Sequence, residues 1–239
     1  MIAALFYAFG DLVDPKIRRI LLLVFILSLA IAAALIAVVS SVLSAIEVVD
    51  LGWLDTMIDA LGGVAAAFLV WLLFPALALI LAYAFAESIA SKIEARRYPG
   101  LAPAKDQSWW RYTKAGIRFE IVTLALNLLM LPIVLIPFIN VIIYPVIFYG
   151  VNGYLFGREF LEIVAPRRVS FKKTRELRRR NRVKIIVGGV LIALLFTVPV
   201  VNLIAPVLAT AYMVHLYHGM QGRRPGARGN AALAELDAG

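Results

Sequence analysis

The chain has 239 residues, of which 62% are hydrophobic and only 16% charged; a soluble domain usually has about 45–50% apolar and about 25% charged residues, so this is the composition of an integral membrane protein. It has no cysteine and two histidines, which excludes disulfides, thiolate metal sites and cysteine nucleophiles and leaves little for a metal cage. No metal and no cofactor is expected, and the net charge of +9 is clustered rather than spread.

The first constellation is "DLVDPKIRRILLL", from Asp11 to Leu23. Asp14 suits an N-cap and Pro15 the first helical position, so a helix should begin here. Its positive end then lies beside Lys16, Arg18 and Arg19. That arrangement attracts oxyanions, and it equally suits cations that anchor a span and snorkel to headgroups. Five charged residues among the first nineteen argue against a signal peptide, so the first span should serve as its own insertion signal.

Residues 20–46 and 62–86 are uncharged runs long enough to cross a bilayer core of roughly 30 Å. Between them Glu47, Asp50, Asp55 and Asp59 stand without a basic residue, whereas 92–118 and 158–184 are strongly basic. Basic loops stay cytoplasmic, so the acidic loop is expected outside and both basic segments inside. The uncharged stretches 121–157 and 185–217 must then enter the membrane and return, since one helix over 121–157 would measure about 55 Å, too long for a single crossing.

Each of these two stretches carries Pro-x-x-Asn-x(3 or 4)-Pro near its centre: Pro137, Asn140 and Pro145, then Pro199, Asn202 and Pro206. Proline removes a backbone donor and asparagine favours turns, so the triplets read as the tips of two helical hairpins. Backbone groups freed there must be buried in protein or line water, as in the discontinuous helices of transporters. A proline kink in a single span is the competing reading, and it conflicts with the charge pattern.

Among the remaining segments, "AESIASKIEARRYPG" reads as a cytoplasmic helix ended by its Pro-Gly, followed by an interfacial helix with Trp109, Trp110 and Tyr112. A helix is expected around 170–182, its arginines lying on anionic membrane lipids; no recognition module accompanies the charge, so no nucleic-acid partner is expected. Arg118, Glu120, Arg158 and Glu159 fall at the mouths of the first hairpin, as paired interfacial charges or a gate. Gly153 and Gly157 suit close helix packing and oligomer assembly. His215 and His218, beside Tyr212 and Tyr217, read as part of an interfacial aromatic belt. The Gly-rich end is expected to be disordered.

The resulting fold class is an all-α integral membrane protein with two long transmembrane helices plus two helical hairpins partly penetrating the bilayer. It forms a single membrane domain over 1–220 with a disordered tail over 221–239. No Walker motif, Gly-x-Ser-x-Gly, His-Glu-x-x-His or intramembrane carboxylate pair is present, so no enzyme is expected.

The order of elements, "DPKIRR", "PFINVIIYPVIFYGVNGYLFGREFLE", "RRRNR" and "VPVVNLIAPVLATAYMVHL", resembles the CysZ sulfate permease family over roughly residues 5 to 220. The resemblance implies a multi-pass protein of the bacterial inner membrane, assembled as a homo-oligomer, that takes up inorganic sulfate for cysteine biosynthesis as a permease or channel. It also implies a sulfate site at the helix start, where the family's Gly-Leu-Arg motif falls on Lys16, Ile17 and Arg18, with Arg19 following. Lys16 departs from that pattern, because glycine allows close backbone approach while lysine adds bulk and a charge. The alternative function is a non-transporting membrane scaffold or membrane-shaping protein.

Overall fold

The computed structural model describes residues 1–44, 81, 84–104, 121, 125–126, 128–129, 139–202 and 204–226. Nearly all of the second expected span, the acidic loop, the Trp109 and Trp110 segment, Arg118, Glu120 and Pro137 lie outside the described residues. Among those described, every regular element is helical. The chain divides into two compact units, Met1–Ile17 with Ala86–Gly239, and Arg18–Phe85.

The second unit is described through α2 (Pro15–Ser44), whose first three residues belong to the first unit's Met1–Ile17 segment. Within α2, Pro15–Val38 is the one stretch among the described residues that is long and apolar enough to cross a membrane. Leu22, Phe25, Ile26, Leu29 and Val38 are exposed, as lipid contact requires. The hydroxyls of Ser28 and Ser41 donate back to the carbonyls of Val24 and Ala37, each at 2.7 Å, which satisfies them without water.

The first unit is built around a helix buried along nearly its whole length. It contains α1 (Ile2–Leu12), α3 (Ala86–Arg97), α4 (Ile139–Val164), a 3₁₀ turn (Ala165–Arg167), α5 (Phe171–Arg180), α6 (Arg182–Thr197), the short α7 (Pro199–Asn202) and α8 (Ala205–Met220). Every residue of α8 from Ala205 to His218 is buried. α1 turns Ala4, Ala8 and Asp11 inward, a helical i, i+4, i+7 face, and packs on α8. α3 places Glu87 in its first turn and Arg96 and Arg97 in its last, matching the helix dipole, and stops at Tyr98-Pro99-Gly100, where Gly100 takes φ 86°. α5 begins at Ser170, whose hydroxyl accepts from the Lys173 N–H at 3.3 Å.

α4 and α6 pack backbone to backbone. A methyl group on Gly189 would collide with the main chain of Gly153 and Gly157, and one on Gly157 with that of Ile185. Gly153 and Gly157 thus serve packing within the chain.

The two proline triplets differ. Asn140 and Pro145 lie within α4, which runs unbroken from Ile139 to Val164, past the expected boundary at 157. Pro137 lies outside the described residues, so an expected tip before Ile139 is neither shown nor opposed; within α4 one proline removes one donor, and the apolar turns on both sides carry the helix through Pro145. At the second triplet the chain does break. Val198 is extended, Pro199 opens α7, Asn202 closes it, and Pro206 sits in the first turn of α8. Gly188, near the start of α6, faces Tyr212 and Leu216 near the end of α8, so the two helices run back along each other.

Residues 221–226 of the expected tail are described. The Gly226 N–H donates to the Arg97 carbonyl at 2.7 Å, the Arg223 N–H to that of His218 at 2.9 Å, and Arg223 is buried. Order thus extends through 226, and residues 227–239 lie outside the described ones.

The glycine seam makes a paired prediction. Gly189→Ala must force two main chains apart and should cost about 2–3 kcal/mol, lowering the melting temperature in detergent. Gly150→Ala, with open space around its would-be methyl in the same helix α4, should be neutral or stabilising by up to about 1 kcal/mol. Equal melting temperatures for the two variants would refute the close approach.

Candidate functional site

The start of α2 is organised by Asp14. Its Oδ1 accepts from the Lys16 N–H at 2.7 Å, and its carbonyl accepts from the Ile17 N–H at 3.0 Å. The N-cap and the proline after it stand where the sequence pattern places them. Ile17 is buried, whereas the side chains of Lys16, Arg18 and Arg19 are exposed and, among the described residues, make no ion pair. Both first-turn N–H groups expected to face an anion are thus engaged by Asp14 itself.

Asp14 is tied in turn to α3. Its Oδ2 accepts from Arg96, whose guanidinium also lies 3.5 Å from Asp11 Oδ1. Partial burial opposes the charge on Asp14, but the hydrogen bonds from Arg96 and from the Lys16 N–H outweigh it and hold the carboxyl below its ordinary range. Asp11, three residues earlier on α1, is almost wholly buried. It accepts from Arg97 Nε at 2.8 Å and lies 2.7 Å from His215 Nε2 on α8. Burial would raise its pKa, yet the His215 and Arg97 hydrogen bonds prevail and lower it.

A second carboxylate–histidine pair adjoins the first. Glu94 of α3 lies 3.0 Å from His218 Nε2 and accepts from Arg168 Nη2 at 2.6 Å and Arg167 Nη2 at 3.2 Å. Glu94 and Arg167 are 1% and 2% exposed, so neither charge has water to fall back on. Burial again opposes the charge, and the hydrogen bonds from His218 and Arg168 overcome it, bringing the Glu94 carboxyl down to about 2. Tyr98 joins the pairs: its hydroxyl lies 2.8 Å from His215 Nδ1, and its ring stacks on His218 at 4.1 Å.

The tautomers follow from these partners. With Glu94 ionised, His218 Nε2 carries the proton and donates it. His218 Nδ1 is buried with no hydrogen-bond partner among the described residues, so a second ring proton would be unsatisfied. Burial, with Arg223 and Arg168 nearby, keeps the His218 pKa below its usual value despite Glu94. The placement of both histidines on an interfacial aromatic belt is therefore corrected: His215 and His218 are buried charge partners that tie α8 to α1 and α3. Their i, i+3 spacing, which puts them on one helix face, was the available signal.

Elsewhere Arg158 Nε donates to Glu162 at 2.9 Å one turn along α4, and Arg178 of α5 reaches the same carboxylate at 2.5 Å. These bonds fasten α5 to α4.

The comparisons with known proteins give this architecture a family. The model for sulfate transporter CysZ/etoposide-induced protein 2.4 matches residues 4–206. The chain belongs to the CysZ/etoposide-induced protein 2.4 family. It is thereby a member of a membrane transporter family, and the match covers the Asp14–Arg19 helix start, the glycine seam and the break before α8. No curated protein matches the sequence.

The Glu94–His218 pair sets the acid response of the first unit. Glu94 has a folded pKa near 2 against an ordinary 4.5, so it contributes about 3 kcal/mol above pH 4.5, lost as pH falls toward 2. His218 is also depressed, so below about pH 6.5 the unfolded chain takes up a proton that the folded chain resists, and stability falls there too. The melting temperature should drop between pH 7.5 and pH 5, and His218→Gln should flatten that part of the curve. Glu94→Ala, which strands Arg167, should cost about 3–5 kcal/mol at neutral pH.

Proposed function

We propose that this member of the family is a sulfate permease or channel, taking up inorganic sulfate across the bacterial inner membrane for cysteine biosynthesis as a multi-pass homo-oligomer. The observation that carries this reading is the start of α2, where Asp14-Pro15 caps an apolar helix whose exposed Lys16, Arg18 and Arg19 have no ion-pair partner among the described residues. A tetrahedral dianion can bridge two guanidinium groups and a helix N-terminus at once, with charge-assisted bonds stronger than neutral ones.

In this reading Lys16, Ile17, Arg18 and Arg19 form the sulfate-binding segment, and Asp14 is its resident anion. Sulfate takes the Lys16 N–H by displacing the Asp14 carboxylate, which stays on Arg96. The interruption at Pro199, Asn202 and Pro206 supports a partly penetrating hairpin of α6 and α8, where freed backbone groups accompany a permeating ion. Pro137, Asn140 and Pro145 would bound the corresponding element on the α4 side, with any elbow before Ile139. The exposed cations of α5 fit anionic headgroups at the membrane surface.

Liposomes containing the pure protein should accumulate radiolabelled sulfate, and changing both Arg18 and Arg19 to alanine should reduce uptake about tenfold or more. Absence of both flux and sulfate binding in the wild-type protein would refute transport and favour a membrane scaffold.

A further inference from the structure

α6 turns apolar side chains both inward and outward. Ile185, Gly188, Gly189, Ile192 and Ala193 are buried. Val183, Val187 and Leu194 are exposed, with Val190 and Leu191 half-buried between them, and the exposed Val198 continues the line past the helix end. This is the spacing of one helix face. Val183 is 74% exposed, and a contiguous apolar surface of this kind marks contact with lipid or with protein.

The glycines decide between the two. Gly188 faces Tyr212 and Leu216 of α8, and Gly189 faces Gly153 and Gly157 of α4, so the glycines of α6 point into the unit. Helices that meet inside a membrane do so over small side chains, and the outer face of α6 carries only valine and leucine along its stripe. That face suits acyl chains.

Cations gather at the head of the stripe. Arg179 and Arg180 end α5, and Arg182 and Lys184 open α6. All four are exposed, and among the described residues none makes an ion pair, whereas Arg158 and Arg178 nearby are both held by Glu162. Glu176 is the one carboxylate in α5. Copies of the chain related by an axis along the bilayer normal would set these four cations against another four, which opposes a second copy on this face. From Val183 to Leu194 the stripe runs about 16 Å, at 1.5 Å per residue, the depth of one leaflet of a core roughly 30 Å thick. A single acyl chain covers it.

We propose that the α5–α6 junction is a docking site for an anionic phospholipid, with the phosphate on the four cations and an acyl chain along the stripe. The proposal rests on the headgroup contact read above for α5 and not on sulfate binding. Guanidinium groups take phosphate oxygens through paired, charge-assisted bonds. A zwitterionic lipid brings its own cation into the cluster and loses that advantage.

The test is retention of phosphatidylglycerol and phosphatidylcholine, matched in chain length, by the purified full-length protein in mixed micelles, read by native mass spectrometry. Wild type should prefer phosphatidylglycerol about tenfold or more, and the preference should fade between about 0.1 M and 1 M salt. Changing Arg179, Arg180 and Arg182 together to glutamine should bring the ratio near one. Changing Lys172, Lys173 and Arg175 to glutamine removes the same charge at the far end of α5 and should keep most of the preference. Glycerol 3-phosphate, a headgroup without chains, should compete at least about a hundredfold more weakly than the lipid, which decides the matter if the arginine variant does not fold. Equal retention of the two lipids by wild type, or equal loss in the two triple variants, overturns the site. Competition by glycerol 3-phosphate at lipid concentrations also overturns it, in favour of a soluble anion. A nitroxide on Val187→Cys, in this otherwise cysteine-free chain, should show no label-to-label broadening in liposomes; broadening seats a second copy on the stripe and overturns the lipid. A chain that selects phosphatidylglycerol yet carries no sulfate keeps this site and loses the sulfate reading.

Discussion

The first unit depends on how helix α8, buried from Ala205 to His218, satisfies the polar groups it carries. Thr210 solves its own problem by donating to the Pro206 carbonyl one turn back. The two histidines cannot, because an imidazole needs partners beyond its own helix, and an unpaired polar group in a dry interior costs about 1–3 kcal/mol. α1 therefore brings Asp11, α3 brings Glu94, and Tyr98 occupies the space between. Each carboxylate then needs cations, and Arg96, Arg97, Arg167 and Arg168 answer that need. The arrangement makes α1, α3 and the 3₁₀ turn mutually dependent: removing one charge strands the next.

The same logic reaches the start of α2. Asp14 follows Asp11 after one further turn, and the Asp14 N–H donates to the Asp11 carbonyl at 3.0 Å. Whatever fixes Asp11 also fixes the cap of the apolar helix, and Arg96 joins the two carboxylates directly. The Asp14 cap is thereby tied to the charges of α1 and α3.

Much of this was legible in the amino-acid sequence, for identifiable reasons. Asp14-Pro15 announces a helix start through one side chain and one ring, Tyr98-Pro99-Gly100 announces a stop, and Ser170 announces the cap of α5, all local effects. The break at Pro199 and Asn202 was readable for the same reason, with Val198 free to extend before the proline. Its copy at Asn140 and Pro145 lies inside α4, where an apolar helix tolerates a lone proline, and Pro137 before it is outside the described residues. The buried network was hidden because its bonds join residues up to 204 positions apart, Asp11 and His215. Two histidines among tyrosines look alike whether they meet headgroups or carboxylates, and only the packing of α1 and α3 against α8 separates the two.

Lys16 can be understood in these terms. Where a glycine would offer bare backbone to an anion, lysine adds a third cation beside Arg18 and Arg19, and an unbalanced cluster of that kind repels itself. The chain answers with Asp14, whose carboxylate holds the Lys16 N–H and is itself stabilised from behind by Arg96. Lys16 is exposed, so its side chain need not crowd the helix end. In the sulfate reading proposed above, added bulk at position 16 and a resident carboxylate at position 14 are two parts of one arrangement, in which an arriving anion would exchange with a tethered one instead of entering an open cradle.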